Sequence, residues 1–163
     1  MYQFIRKLKL TEAEIKAYYN LIANSFADMG INAKEDDFLV LKTAINKNIK
    51  SPKNFYYFIY KNAKICGAFD LAIENGKLYL GNVVFDNKYK GTHLILEFLN
   101  FVFKASEFKE FNEIYFNINN KNSKSKQTFL HLGAKVFKEK EHSALYCLKR
   151  QDVKNYLNKI NRV

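Results

Sequence analysis

Lys88, Lys90 and Gly91 stand together in a short basic turn, between an apolar run ending at Phe85 and a long apolar run that begins after Thr92. A turn of this kind, leading from a strand into a helix, suits an anion. The first amides of a helix have no intrahelical acceptor, and the helix dipole places positive potential in front of them. The two lysines add full charges. Gly91 lets the backbone approach a bulky anion such as a phosphate and takes dihedrals closed to other residues. Basic turns with a single glycine also make ordinary strand–helix connections, so this stretch alone leaves both readings open.

Other chemistries leave no comparable trace. The chain has no G-x-x-x-x-G-K-[ST], no G-x-S-x-G and no G-x-G-x-x-G string, so a P-loop enzyme, a serine hydrolase and a Rossmann fold are not supported. His131 has no partner four residues away, His142 sits in a charged loop, and neither has metal-ligand spacing with a cysteine, so no metal is expected. Asp36-Asp37 reads as helix-start charge rather than a carboxylate dyad. The lysines from Lys121 to Lys126 lack the aromatic interleaving of a base-stacking platform, so nucleic acid is not the expected partner. Cys66 and Cys147 show no C-x-x-C spacing and lie in apolar strand-like runs, which fits reduced, buried thiols in a cytoplasmic protein.

These residues need a scaffold. At 163 residues and 48% apolar content, the chain can build one domain over its whole length, 1–163, with a substantial core. Its formal charge of +11 suggests an anionic partner such as nucleic acid, a membrane surface or a phosphorylated small molecule, although lysine is also spread thinly as a solvated surface. No run approaches the roughly 18 apolar residues of a membrane span, so no membrane partner is expected. A homodimer is allowed.

Tyr2 to Leu8 reads as a strand, and Thr11 with Glu14 has capping-box spacing for a helix carrying Ile15, Tyr18, Ile22, Phe26 and Met29, stopped by Gly30. A second helix is expected from about Glu35 to Asn48, with Phe38, Leu41 and Ile45 as its apolar stripe. Three strands follow, Phe55 to Lys61, Ile65 to Glu74 and Leu78 to Phe85. A turn near Asn62 joins the first two, and Asn75-Gly76, a strong hairpin signal, joins the last two. The helix from about Thr92 to Ser106 confines His93, Glu97, Asn100 and Lys104 to one stripe, so its remaining surface should be buried against a sheet. Glu113 to Ile118 should then lie parallel and adjacent to Leu78 to Phe85, as in a βαβ unit. A short helix ending at Leu132-Gly133, strands at Lys135 to Lys138 and Ala144 to Lys149, and a helix over about 151–161 complete a mixed α/β chain.

This order, with two local patterns, resembles the GNAT superfamily of acetyl-CoA-dependent N-acyltransferases over nearly the whole chain. The family motif Q/R-x-x-G-x-G/A resembles Lys88-Tyr89-Lys90-Gly91-Thr92-His93. A second motif resembles Asn122, Ser125, Phe129 and Leu132-Gly133-Ala134. The resemblance implies a mixed, mostly antiparallel sheet with a splayed parallel strand pair. It also implies acetyl-CoA as acyl donor, with the pyrophosphate held by the turn amides. The backbone of Val83, Val84 and Phe85 would pair with pantetheine and polarise the thioester, while Asn122 and Ser125 would contact pantetheine or phosphate. Lys88, Lys121 and Lys124 would attract the anionic ligand. Three departures stand out: His93 replaces a small residue, Lys88 replaces glutamine or arginine, and Phe129 stands where many members place the tyrosine that protonates the departing thiolate.

The implied reaction is direct attack of a primary amine on acetyl-CoA in a ternary complex. An alkyl ammonium, with a pKa of roughly 10.4, must first lose a proton, and backbone N–H groups would stabilise the oxyanion. Tyr79, Asn82 and Tyr146, with Asp70 on the preceding strand, are the polar candidates for that chemistry. Each has an ordinary structural explanation beside it. Phe129 and His93 keep open a binding module that holds acyl-CoA without turnover, and the charge keeps open a basic nucleic-acid adaptor. Tyr18, Tyr19 and Phe26 line either an acceptor pocket or the core.

Overall fold

The computed structural model describes residues 1–89 and 93–161. The elements are β1 (Gln3–Lys7), α1 (Glu12–Asp28), α2 (Asp37–Asn48), β2 (Asn54–Lys61), β3 (Lys64–Glu74), β4 (Lys77–Phe85), α3 (Leu94–Lys104), β5 (Glu113–Asn119), α4 (Ser123–His131), β6 (Lys135–Glu139), β7 (Ser143–Lys149) and α5 (Arg150–Ile160). They form a mixed seven-stranded sheet in the order β1-β2-β3-β4-β5-β7-β6. The β1·β2, β2·β3, β5·β7 and β6·β7 pairs are antiparallel and β4·β5 is parallel, as expected of a strand–helix–strand crossover. The parallel register runs from Leu78↔Ile114 to Leu80↔Phe116, while β4 continues to Phe85 and β5 to Asn119.

The chain packs as two compact units, Met1–Ala72 with Gly81–Thr92, and Ile73–Leu80 with His93–Val163. In the first, α1 starts at the expected capping box: Glu14 N donates to Thr11 Oγ1 (3.1 Å) and Thr11 N to Glu14 Oε1 (3.0 Å). Glu14 also pairs with Lys7 at 2.8 Å. Gly30, at φ +75°, ends the helix, with Ile31 N reaching back to Phe26 O. The buried stripe differs from the expected one at its end. Ile15, Tyr18 and Leu21 are buried, whereas Phe26 is exposed, because the core cluster they join with Ile45, Tyr56, Phe58, Ala68 and Val84 reaches only to Leu21 and Ile22. The β2–β3 turn places Asn62 and Ala63 at φ +52° and +63°.

In the second unit, the Asn75-Gly76 turn has both residues at positive φ, +50° and +74°, as a type I′ hairpin requires. Helix α3 buries Leu94, Phe98, Leu99, Val102 and Phe103 and leaves His93, Glu97 and Lys104 exposed. Arg150, the first residue of α5, donates its guanidinium to the carbonyls of Phe103 and Phe111, the latter at 2.7 Å, and lies over the Phe103 ring. It thereby supplies donors to backbone acceptors at the end of α3 and in the segment after it. Strand β6 is exposed throughout and forms one sheet edge, where Lys135, Lys138 and Glu139 discourage further strand pairing.

Candidate functional site

A carboxylate is built into the first unit with unusual care. Asp70 sits on β3 beside Tyr56 of β2, its register partner. The Tyr18 hydroxyl from α1 donates to Asp70 Oδ2, and Asn82 of β4 donates to the same oxygen twice, through its backbone N (3.2 Å) and through Nδ2 (3.1 Å). Among the described residues no donor reaches Oδ1. That oxygen lies against Gly81, where a β-carbon would overlap it outright, so the carboxylate occupies its seat only because residue 81 has no side chain. Gly81 is itself exposed, and Asp70 is partly buried.

Burial raises the pKa of Asp70 above the usual carboxylate value, against the opposing pull of Tyr18 and Asn82. Burial together with the nearby Asp70 charge pushes Tyr18 well above the normal phenol range and Tyr56 up to about 12, so both phenols stay protonated at neutral pH. The arrangement ties one carboxyl oxygen to three donors and sets the other against Gly81.

The other sequence candidates fall into separate surroundings. Tyr79 packs its ring on Tyr115 (5.7 Å between centroids), its parallel-register partner. Tyr146 is buried with its ring stacked on Phe116 at 6.1 Å. Because Tyr115 and Phe116 are consecutive on β5, Tyr79 and Tyr146 project from opposite faces of the second unit's sheet and do not meet. Only Asn82 of that trio joins a polar cluster.

Val84 is buried in the first unit's core, and Val83 and Phe85 are partly buried. Lys88 and Tyr89 lie in a 3-10 turn closed by Asp86, whose Oδ1 accepts from Lys88 N (3.0 Å) and whose carbonyl accepts from Tyr89 N (2.9 Å). Lys90, Gly91 and Thr92 lie outside the described residues. His93 is exposed, and its carbonyl opens the hydrogen-bonding of α3 by accepting from Leu96 and Glu97 N. Asn122 caps α4, its Oδ1 accepting from Ser125 N at 3.2 Å. Phe129 is buried with its ring 4.4 Å from Phe116.

The thiols also divide. Cys66 is buried and donates to Ile59 O, but Cys147 is only partly buried, with Sγ 3.6 Å from Glu113 Oε2, because β7 presents it on the same face as Tyr115. Among the described residues no group of three His, Cys, Asp or Glu side chains could hold a metal, and no helix is long and apolar enough to cross a membrane.

Gly81 escaped the sequence reading, and Tyr18 entered it only as a residue of the acceptor pocket or the core, without its link to Asp70. Two signals pointed to them: a tyrosine on a buried helical stripe needs a partner for its hydroxyl, and a glycine inside a strand marks a close approach.

No family model matches this sequence, and no curated protein matches it. Solved structures do. The chain is similar to the apo form of FdhC, a nucleotide-linked sugar GNAT (TM-score 0.73, 15% identity, 99% of this chain and 93% of that one). It is similar to the Campylobacter jejuni N-acetyltransferase PseH in complex with acetyl coenzyme A (0.64, 16%, 92% and 99%). It is also similar to spermidine N-acetyltransferase from Vibrio cholerae in complex with CoA and spermine (0.68, 14%, 94% and 98%). The chain therefore has the fold of the GNAT acetyltransferases, and the mixed sheet with its short parallel β4·β5 register is the arrangement the sequence resemblance implied.

Proposed function

We propose that the chain is an N-acetyltransferase that moves the acetyl group of acetyl-CoA to a primary amine of a small molecule or protein, by direct attack in a ternary complex. The observation that carries this reading is the course of β4, which remains a strand to Phe85 beyond its parallel register with β5 and then enters the basic turn. Strand backbone running on past its ladder suits main-chain pairing with an extended ligand. In this reading the backbone of Val83, Val84 and Phe85 pairs with pantetheine and polarises the thioester carbonyl. The turn from Lys88 to His93 holds the pyrophosphate, with Asn122 and Ser125 at the pantetheine or phosphate region. The coenzyme complexes of two proteins with this fold support the choice of donor.

Steady release of free thiol from acetyl-CoA in the presence of an amine panel tests the proposal. Thiol release that depends on an amine and yields the acetylated amine is the expected result. A second reading, an acyl-CoA-binding module without turnover, draws on Phe129, a buried ring without a hydroxyl at the position implied for a proton donor. Heat of coenzyme A binding with no thiol release across the panel would select it. No heat at millimolar coenzyme A would remove both.

A further inference from the structure

The Asp70 seat is more than the acetyl-transfer reading requires, and its construction is specific. Three donors from two elements converge on Oδ2, and a side chain is absent from Gly81 where it would block Oδ1. If the carboxylate served only to anchor Tyr18, both oxygens could be enclosed among donors. Instead one is tied down and the other faces an exposed glycine.

We propose that Asp70 receives the ammonium group of the acceptor at Oδ1 and takes the proton it must shed, with Tyr18 and Asn82 as positioning residues that fix the carboxylate through Oδ2. This assignment rests on the acetyl-transfer reading. Asp70 takes one proton from R–NH3+, and the freed nitrogen lone pair forms the new N–C bond to the acetyl carbonyl. The C–S bond then breaks, and the sulfur carries off its electron pair as thiolate. A second proton leaves nitrogen as the amide forms and neutralises the thiolate, while Asp70 returns its own proton to water.

The groups facing Asp70 limit how it titrates. Tyr18 from α1 and Tyr56 from β2 remain neutral phenols, and Asn82 from β4 does not ionise, so within the cluster the proton falls to Asp70. Burial lifts its pKa, which increases its strength as a proton acceptor.

The test uses Asp70→Asn in the full chain, since asparagine can keep an oxygen at the Tyr18 and Asn82 donors while losing the charge. Turnover with benzylamine, an ammonium ion at pH 7, is compared with turnover of aniline, which is neutral there. The variant should fall about 100-fold in kcat/KM with benzylamine. Aniline should lose far less, coenzyme A affinity should be unchanged, and the melting temperature should be retained. Equal loss with both amines, or a variant within threefold of wild type on benzylamine, overturns the proposal.

Calorimetric binding of benzylamine to both proteins provides a readout independent of turnover. Binding that needs Asp70, with no thiol release across the amine panel, upholds the ammonium site and sinks the transferase reading. Benzylamine binding that is absent, or the same in both proteins, sinks the site whether or not acetyl-CoA turns over.

Discussion

Asp70 and Tyr18 illustrate how a single hydrogen bond connects packing to chemistry. Tyr18 is buried and its hydroxyl meets a carboxylate partly withdrawn from water. Tyr18→Phe leaves the ring's packing intact and removes one of three donors to Oδ2, so it should cost about 2 kcal/mol, the scale of a hydrogen bond to a charged group. Urea unfolding measures this, and the loss should shrink in the Asp70→Asn background, where the charge is gone. Asn82 was named by the sequence as a polar candidate and proves to be one arm of this cluster. Tyr79 and Tyr146 were named on the same grounds, yet their rings are absorbed into aromatic packing. Residue type and strand position were legible in all three cases. Which hydroxyl or amide would find a partner was not, because the answer depends on residues far away in sequence.

At the scale of elements, two turns invite direct comparison. Asn75-Gly76 and Asn62-Ala63 both place two consecutive residues at positive φ, but only the first has glycine where the backbone is left-handed. Ala63 is exposed, so Ala63→Gly should relieve strain and raise stability by about 1 kcal/mol, read as a higher melting temperature. Arg150 presents the opposite case. Arg150→Met would leave the carbonyls of Phe103 and Phe111 without their guanidinium and should cost about 3 kcal/mol in urea unfolding.

The capping box supplies a pH test. Burial alone would raise the Glu14 pKa, but Lys7 and Thr11 together lower it below 4.5. A lowered carboxyl pKa stabilises the fold above the unfolded value and loses that contribution as pH falls through the folded value. Stability should therefore decline on acidification below about pH 4.5, and Glu14→Gln should flatten that limb of the curve. Thr11 and Glu14 were legible because a cap is local. The end of the α1 stripe was not, since helical periodicity continues past the point where there is anything to pack against.

For the molecule as a whole, the +11 charge becomes a statement about substrates once acetyl transfer is proposed. The field of such a protein favours acyl donors rich in phosphate and disfavours polycationic acceptors. Among amines, one carried on an anionic body, as in an amino sugar nucleotide, should show a larger kcat/KM than spermine at low salt. The difference should narrow as salt rises, and a preference for spermine under those conditions would contradict the charge argument.

The order of elements, the hairpin turns, the parallel crossover and the likeness to the GNAT fold were all available from the amino-acid sequence. Each is set by periodicity, caps and glycine positions within a few residues, or by motifs spaced along the chain. The tertiary structure alone decided that β7 lies between β5 and β6, that Tyr79 and Tyr146 face apart, and that Tyr18, Asp70, Gly81 and Asn82 share one seat. Local signals set what each segment becomes. Which side chains meet is fixed only when strands choose neighbours and register, because a shift of one residue turns a side chain to the other face.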